Sequence, residues 1–286
     1  MQVVDLKQWQ ENAQIFHFRG EQFCYWTSVN PADKPALLLI HGFPSASWDW
    51  SPMWSTLEKH YHLIAVDMLG FGFSSKNPNA DYSINFQADL QQALLQHLKI
   101  ENHSVLAHDY GDTVAQELLA RDHHKHHIQQ MFLLNGGLFP ETHRALFVQK
   151  LMLSPVGFLT PFFINKKLFL RSFAKICAKP LSSEELDGLW LLMAHNQGPA
   201  VMPKLIHYMK ERRLHRERWV SALANSRTPL VLINGSDDPI SGAHMVRRYR
   251  QIVQTNHIYE LPGIGHYPQL EDPASVSQLV LETSSV

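Results

Sequence analysis

Short apolar runs alternate along this chain with segments whose apolar residues recur at helical spacing, and this order leaves few folds open. Six runs have the length and composition of buried strands: Ala36–Ile40, His62–Asp67, Ser104–Ala107, Met131–Asn135, Leu230–Asn234 and His257–Leu261. Helical spacing occurs at Asn85–Leu98, Thr113–Arg121 and Ala274–Thr283. The pattern is typical of an α/β fold in which helices flank a mostly parallel sheet.

The alternation stops at about position 138 and resumes at Pro229. The sequence between is rich in Phe, Leu, Met, Lys and Pro and contains helix-like pieces but none that resemble strands. An all-helical insertion into the sheet is the simplest interpretation. We therefore predict a first part of the α/β core over residues 1–137, a helical cap over 138–218 and a second part of the core over 219–286. A chain of 286 residues suits one domain of this kind.

Charge and composition exclude several classes of function. The formal net charge of −1 gives no electrostatic reason to expect a nucleic-acid partner. The two cysteines, Cys24 and Cys177, lie far apart, and the N-terminal sequence is polar, so we predict a cytoplasmic protein with reduced thiols. The longest apolar stretch, Val156–Ile164, is too short to span a membrane. The oligomeric state stays open.

Two further features suggest binding sites only weakly. The histidine-rich stretch His123–His127 has no carboxylate or cysteine at a defined spacing, so we predict solvated histidines and no metal site. The segment Phe158–Phe169 combines phenylalanines with Lys166 and Lys167. A peripheral membrane contact there is the less favoured alternative to a packed interior of the cap.

The stretch AHDYG places Asp109 between the run Ser104–Ala107 and the helical pattern that starts at Thr113. Small residues, Ala107 and Gly111, stand two positions before and after Asp109, as a tight strand-to-helix turn requires. The turn would hold Asp109 as a nucleophile above the positive end of a helix. An ordinary helix N-cap is the alternative, since aspartate is a favoured capping residue.

The loop HGFP follows the run Ala36–Ile40 and is a candidate for binding an oxyanion. At this place one backbone N–H can point at the reacting centre, and the residue after the nucleophile can supply a second. We predict that these donors are the amides of Phe43 and Tyr110. The remaining loop residues are His41, Gly42 and Pro44. A plain Gly-Pro turn is the alternative.

A candidate acid and a candidate base follow two later strands. The sequence GSDDP follows Leu230–Asn234, and its spacing favours Asp238 as the acid, with Asp237 as the alternative. His266 lies between the last strand and the last helix and is the candidate base. The order Asp109, Asp238, His266 is the nucleophile–acid–histidine order of hydrolases with this kind of sheet.

These residues, with the stretches HGFPSASWDW, DMLGFGFSSK, HDYGDTVAQELLAR and HYPQLEDP, resemble the α/β-hydrolase superfamily. Within it they resemble the branch with an aspartate nucleophile, the epoxide hydrolases and haloalkane dehalogenases. The likeness runs from about Ala36 to Pro273. It implies hydrolysis without a cofactor, in which Asp109 forms an alkyl ester and water activated by His266 cleaves it.

The resemblance implies epoxide opening more than halide release. Epoxide hydrolases use HGFP and protonate the opening ring with cap tyrosines, and Tyr208 stands where the second of these belongs. The first is missing, and His143 is the only nearby polar substitute. Dehalogenases carry Trp after the nucleophile, where this chain has Tyr110, although Trp190 could face inward. Fluoroacetate dehalogenases need arginines nearer the nucleophile than Arg121.

Three functions therefore stay open. The favoured one is an epoxide hydrolase for a small hydrophobic substrate, because the predicted cap is rich in Phe, Leu and Met. The second is a haloalkane dehalogenase with the same three residues. The third is a protein of this fold that mainly binds. It is disfavoured because ionisable groups at three matching loops are costly to keep without use.

Overall fold

A computed structural model of the protein describes residues 4–28 and 34–284, so the predicted parts 1–137 and 219–286 extend partly outside the described residues. Its strands are β1 (Gln14–Phe18), β2 (Glu21–Thr27), β3 (Ala36–Ile40), β4 (His62–Val66), β5 (His103–His108), β6 (Ile128–Leu134), β7 (Leu230–Gly235) and β8 (Ile258–Leu261). They form one sheet in the order β1-β2-β4-β3-β5-β6-β7-β8. Only the pairs β1·β2 and β2·β4 are antiparallel, which confirms the predicted mostly parallel sheet.

The six predicted strands are β3 to β8, whereas the hairpin of β1 and β2 was not predicted. Its two strands lie at the antiparallel end of the sheet, and β1 is largely exposed. Strands of this kind lack the continuous apolar run that marks a strand buried on both faces. The turn between them is Arg19–Gly20, with φ of +48° and +82°, a conformation that suits a two-residue hairpin.

The helices agree with the predicted pattern. They are α1 (Leu6–Glu11), α2 (Ser51–Leu57), α3 (Ile84–His97), α4 (Tyr110–Asp122), α5 (Phe147–Met152), α6 (Lys166–Ile176), α7 (Ser183–Ala194), α8 (Gly198–Leu205), α9 (Tyr208–Leu214), α10 (Arg216–Ala224), α11 (Ala243–Ile252), α12 (Pro268–Glu271) and α13 (Pro273–Glu282), with short 3₁₀ turns at Ser47–Trp50, Gly157–Phe162 and His195–Gln197. The three predicted helices correspond to α3, α4 and α13. Within the described part of the chain, no helix is long and apolar enough to cross a membrane.

The sheet separates two apolar cores because alternate residues of each strand face opposite sides. In β3, Leu37 and Leu39 pack into the core under α2 and α13, whereas Leu38 and Ile40 belong to the larger core on the other face. The larger core includes apolar side chains of α3, α4 and α11 and continues into the helices between β6 and β7. The sheet is therefore covered on both faces, as its apolar strands require.

Between β6 and β7 the described chain forms helices and a few turns but no strand. This helical segment is tied to the loop that follows β8. The backbone N–H of His266 donates to the carbonyl oxygen of Ile176 at 2.8 Å, and the ring of Phe173 lies 5.1 Å from that of Tyr267. The segment thus adjoins the edge at which the parallel strands end.

Candidate active site

Asp109 lies at the turn between β5 and α4 in a conformation that is rare for a residue with a side chain. Its φ is +49° and its ψ is −104°. A Cβ atom on Gly111 would come within 2.3 Å of the Ile40 carbonyl oxygen, so glycine is required there. The Asp109 side chain makes no capping hydrogen bond to α4, which argues against the N-cap interpretation. The carboxylate is therefore not used to cap the helix.

The loop after β3 brings a backbone donor to this carboxylate. Phe43 N–H donates to Asp109 Oδ2 at 3.2 Å, and Tyr110 begins α4 directly after Asp109. His41 fixes the loop, since its Nε2 accepts from Met68 N–H at 3.1 Å. A Cβ on Gly42 would lie 2.5 Å from a His108 ring nitrogen, so the loop can approach this closely only with glycine. Pro44 completes the loop and lines the cavity described below.

Asp238 and His266 meet beside Asp109, as the sequence predicts. His266 Nδ1 lies 2.8 Å from Asp238 Oδ2, and His266 Nε2 lies 3.9 Å from Asp109 Oδ1. All three side chains are buried, whereas Asp237 is exposed. Asp238, rather than Asp237, is therefore the carboxylate that pairs with His266.

Residues that the sequence analysis did not select hold Asp238 in place. Its Oδ2 accepts from Asn135 Nδ2 at 2.9 Å and from Ser241 Oγ at 2.8 Å, and its Oδ1 accepts from Ile240 N–H at 2.7 Å. Asn135 directly follows β6, and this place at the end of a parallel strand is the sequence signal by which it could have been selected. With both oxygens engaged, the carboxylate of Asp238 is fixed toward His266.

The electrostatics of the pair favour the charged forms of both groups. Burial acts against the charge of Asp238, but the positive charge of His266 and the hydrogen bonds hold its pKa well below the usual range. Burial likewise acts to lower the pKa of His266. The carboxylates of Asp238 and Asp109 outweigh it and raise the pKa of His266 to about 9. At neutral pH His266 is therefore an imidazolium between two carboxylates.

Two contacts fix the backbone around His266. His108 Nε2 lies 2.7 Å from the His266 carbonyl oxygen, so that nitrogen carries a proton and donates it. Burial, aided by the charge of His266, lowers the pKa of His108 to about 4, and this ring stays neutral. The second contact is a buried carboxylate, Glu271. It accepts four backbone N–H bonds, from Ala178, Lys179, Gly265 and Tyr267, at 2.8 to 3.1 Å.

Tyr208, on α9 of the helical segment, packs against both predicted oxyanion residues. Its ring centroid lies 4.9 Å from that of Tyr110 and 6.2 Å from that of Phe43. Burial and, after it, the negative charge of Asp109 raise the pKa of the Tyr208 hydroxyl well above its usual range. Tyr208 is therefore a neutral O–H donor close to Asp109.

A buried arginine that the sequence analysis missed, Arg212, joins the helical segment to the elbow. Its Nη2 donates to the Asp109 carbonyl oxygen at 3.1 Å and lies 3.9 Å from Asp109 Oδ1. Its Nε donates to Thr113 Oγ1 at 2.7 Å, and its guanidinium lies over the Tyr208 ring, 4.4 Å from the centroid. His143 Nδ1 accepts at 3.5 Å from Arg212 Nη1. Burial and this guanidinium lower the pKa of His143 to about 3, so its ring is neutral.

An apolar cavity leads from the helical segment to this group of residues. It runs between α5 and α6 and ends at Phe43 and His266, with Asp109 one hydrogen bond beyond Phe43. Its other lining residues are almost all apolar: Pro44, Leu146, Val148, Gln149, Met152, Ile164, Leu168, Phe169, Ser172, Phe173, Ile176, Met193, Met202 and Ile240. Trp190, which the sequence left as a residue that could face inward, instead packs on Phe169 at 5.5 Å and does not line the cavity. The cavity suits an apolar molecule.

No group of three potential metal-ligating side chains occurs among residues 4–28 and 34–284. The stretch His123–His127 follows the last residue of α4, Asp122, whereas Asp109 directly precedes the first residue of that helix. Its residues make no contact with the candidate site that the described structure records. Nothing in this stretch adds a ligand to the site.

Comparison with known proteins gives the setting of this geometry. A family model described as the alpha/beta hydrolase fold matches residues 35–273. The mouse mesoderm-specific transcript protein is 39% identical over 284 residues, covering 94% of this chain and 84% of that protein. LipZ of Mycobacterium tuberculosis is 34% identical over 256 residues, covering 88% of each. A crystal structure of haloalkane dehalogenase DbeA from Bradyrhizobium elkani superimposes with a TM-score of 0.80 at 22% identity, covering 94% of this chain and 96% of that one.

Proposed function

The chain belongs to the α/β-hydrolase fold family, and on this basis we propose that it hydrolyses a small apolar epoxide through an ester on Asp109. One observation carries the proposal. The elbow holds a carboxylate, and a histidine paired with Asp238 lies 3.9 Å from it. A serine at this place would attack acyl carbons, whereas a carboxylate is suited to displacement at an sp³ carbon.

In the first step Asp109 Oδ1 or Oδ2 attacks a ring carbon of the epoxide. The new C–O bond is the ester, and the ring C–O bond breaks with its electron pair left on oxygen. The Tyr208 hydroxyl supplies a proton to that oxygen, because it is neutral, buried and near Asp109. General-acid help of this kind contributes about 10²–10⁴-fold to the rate.

Once the ester has removed the charge of Asp109, the His266 imidazolium loses its proton to solvent. In the second step the neutral ring takes a proton from water, and the hydroxide adds to Cγ of Asp109. The Phe43 and Tyr110 amides bind the oxyanion that forms, an interaction worth about 2.7–4 kcal/mol for each donor. The intermediate then collapses, and the carboxylate of Asp109 is restored. Of the two protons of the water molecule, one is donated to the alkoxide that leaves the ester. The other reprotonates the Tyr208 hydroxyl. No cofactor or metal ion takes part in these steps.

The helical segment, over about residues 138–218, acts as the cap in this proposal. It contributes Tyr208 and most of the apolar wall of the cavity. Such walls exclude water and bind an apolar substrate near the nucleophile. Arg212 is proposed as a positioning residue, since it binds the Asp109 backbone and packs on Tyr208.

Dehalogenation is the second candidate, because the same three residues would serve it. A leaving halide needs N–H donors from side chains, and here Phe43 and Tyr110 replace the residues that supply them in dehalogenases. Trp190 faces Phe169 instead of the cavity. An epoxide substrate is therefore favoured over a haloalkane. A protein that mainly binds apolar molecules, without catalysing a reaction, is the third candidate.

The test uses the His266→Ala protein, in which the ester should form but should not be hydrolysed. We would incubate it separately with a terminal epoxide and with a haloalkane of equal chain length, and measure the intact mass. The expected result is a mass gain equal to the whole epoxide, located on Asp109. The control carries Asp109→Ala as well and should gain no mass.

A second arm separates the two chemistries. Adding Tyr208→Phe should slow epoxide adduct formation by about 10²–10⁴-fold, since the ring oxygen loses its acid. Tyr249→Phe is the matched control, because Tyr249 is also buried but its hydroxyl has no hydrogen-bond partner. A gain of only the alkyl group would instead indicate dehalogenation. If no compound gives an adduct, the nucleophilic role of Asp109 is wrong and the binding role leads.

A further inference from the structure

Exposed apolar side chains are concentrated on one stretch of the helical segment. Of the eleven large apolar side chains that are exposed among the described residues, eight lie between positions 147 and 168. Phe147 and Phe162 are 81% and 82% exposed. We call this set the apolar patch: Phe147, Leu151, Val156, Phe158, Leu159, Phe162, Phe163 and Leu168. Monomeric proteins rarely expose large apolar surfaces, so this concentration of exposed apolar side chains within 22 residues points to an interaction surface.

The same stretch is strongly basic. Between positions 142 and 183 the sequence has seven Lys and Arg and no Asp or Glu, so the rest of the chain carries a net charge of −8. Within the described residues, two of the seven form ion pairs, Lys166 with Asp187 and Lys179 with Asp272. The other five are exposed and form no ion pair in the described structure: Arg144, Lys150, Lys167, Arg171 and Lys175.

Helix α6 shows how the apolar and basic groups share one face. Its buried residues, Phe169, Phe173 and Ile176, point toward the cavity and the core. Leu168, Arg171 and Lys175 stand three and four positions apart and are exposed on the outer face. Long basic side chains at the rim of an apolar surface can reach charged groups while the apolar surface inserts.

The patch adjoins the cavity at Leu168. Leu168 belongs both to the patch and to the cavity lining, and Ile164 next to Phe163 lines the cavity as well. From this mouth the apolar wall leads to His266. A molecule that leaves an apolar phase at the patch would therefore meet mostly apolar side chains on its path to His266.

We propose that the apolar patch docks the protein on an anionic phospholipid surface. Exposed phenylalanines with unpaired lysine and arginine beside them suit insertion at the boundary of acyl chains and anionic headgroups. Interfaces with proteins are instead depleted in lysine. The rest of the chain carries a net charge of −8, so an anionic surface repels it and favours docking through the basic stretch. Docking does not depend on the proposed reaction.

The test measures sedimentation of the full chain with vesicles. Vesicles of equimolar phosphatidylcholine and phosphatidylserine should bind the protein about tenfold or more tightly than pure phosphatidylcholine, and added salt should weaken the binding. Phe162→Ser with Phe163→Ser should reduce binding about tenfold or more. Leu214→Ser is the matched control, since Leu214 is 78% exposed but lies outside the patch.

A charge test keeps the proposal falsifiable if the serine variant folds poorly. Lys167→Glu with Arg171→Glu should weaken binding to phosphatidylserine vesicles, whereas Lys59→Glu, near the opposite edge of the sheet, should not. Asp109→Asn should bind as the wild type does, so failure of the proposed reaction and failure of docking can be told apart. Equal binding by wild type and both patch variants would overturn the proposal. The proposal would also be wrong if the wild type did not bind vesicles but self-associated, and Phe162→Ser abolished the self-association. A second copy of the chain would then be the partner of the patch.

Discussion

Asp109 is a carboxylate held away from water, and only 3% of its surface is exposed. Burying a charge without partners is costly, so its surroundings decide whether it can serve as a nucleophile. It receives the Phe43 N–H bond at 3.2 Å, and the cationic groups of His266 and Arg212 each lie 3.9 Å away. These contacts stabilise the anion without covering it with a short salt bridge. Such an arrangement leaves electron density available for attack.

The protonation of His266 should change during the reaction. In the free protein Asp238 and Asp109 raise its pKa to about 9. Ester formation removes the charge of Asp109, so the pKa of His266 then falls and the neutral imidazole that activates water becomes available. We predict that the rate of ester hydrolysis, measured in single turnovers, rises with pH to a plateau. The midpoint of the rise should lie below pH 9.

Replacing Asp238 tests the sign of this effect. Asp238→Asn removes the largest group that raises the pKa of His266, so the midpoint should move to lower pH. Loss of the orienting bond should also reduce the plateau rate by about 10²–10⁴-fold. Asp237→Asn, at the neighbouring exposed position, should change neither. A midpoint that rises in Asp238→Asn would contradict the role given to His266.

The sequence carries enough information to place Asp109, Asp238 and His266, because each follows a buried strand directly. Parallel strands end at one edge, so residues in those positions converge whatever the packing elsewhere. Arg212 could not be found in this way. It lies in the helical segment, about a hundred positions from Asp109, and only packing of that segment brings the two together. A basic residue on a helix is more often solvated, so its sequence position gave no signal.

At the scale of elements, the first two strands were missed for a related reason. Strand β1 alternates between exposed and partly buried residues and pairs only with β2. The pattern of five residues is too short to stand out, while β3 is an unbroken apolar run buried on both faces. The dipeptide Arg19–Gly20 was the available hairpin signal. Recognition of strands from sequence thus worked for the parallel strands and failed at the antiparallel end of the sheet.

Glu271 joins two elements that carry the candidate site, the loop of His266 and the end of α6. Its buried carboxylate accepts N–H bonds from both sides. In Glu271→Gln an amide NH₂ replaces either Oε1, which accepts from Tyr267, or Oε2, which accepts from Ala178, Lys179 and Gly265, and the negative charge that strengthens the remaining bonds is lost. We predict that the free energy of unfolding falls by about 1.5–3 kcal/mol or more, measured by urea denaturation.

The matched control is Glu282→Gln on α13, where the exposed Glu282 accepts a hydrogen bond from the Gln278 amide. Its stability should stay within about 0.5 kcal/mol of the wild type. If Glu271→Gln is as stable as this control, Glu271 does not connect α6 to the His266 loop. The same variant should also slow ester hydrolysis, because the backbone of His266 is fixed through these bonds.

For the molecule as a whole, the candidate site and the basic segment lie toward the edge of the sheet at which the parallel strands end. The C-terminal ends of β3, β5, β7 and β8 lead to Phe43, Asp109, Asp238 and His266. The helical segment covers that edge and carries both the apolar patch and the wall of the cavity. A surface that docks the protein would therefore place the cavity mouth against the phase in which apolar substrates are dissolved.

This arrangement predicts that vesicles activate the enzyme only for apolar substrates. With phosphatidylserine vesicles present, turnover of a long-chain epoxide should rise about tenfold, because docking raises the local concentration of the substrate at the mouth. Turnover of a short, water-soluble epoxide should not change. In Phe162→Ser with Phe163→Ser the rise should disappear, whereas Leu214→Ser should keep it. A rise of the same size in all three proteins would mean that the vesicles act on the substrate alone, and that the patch and the cavity work independently.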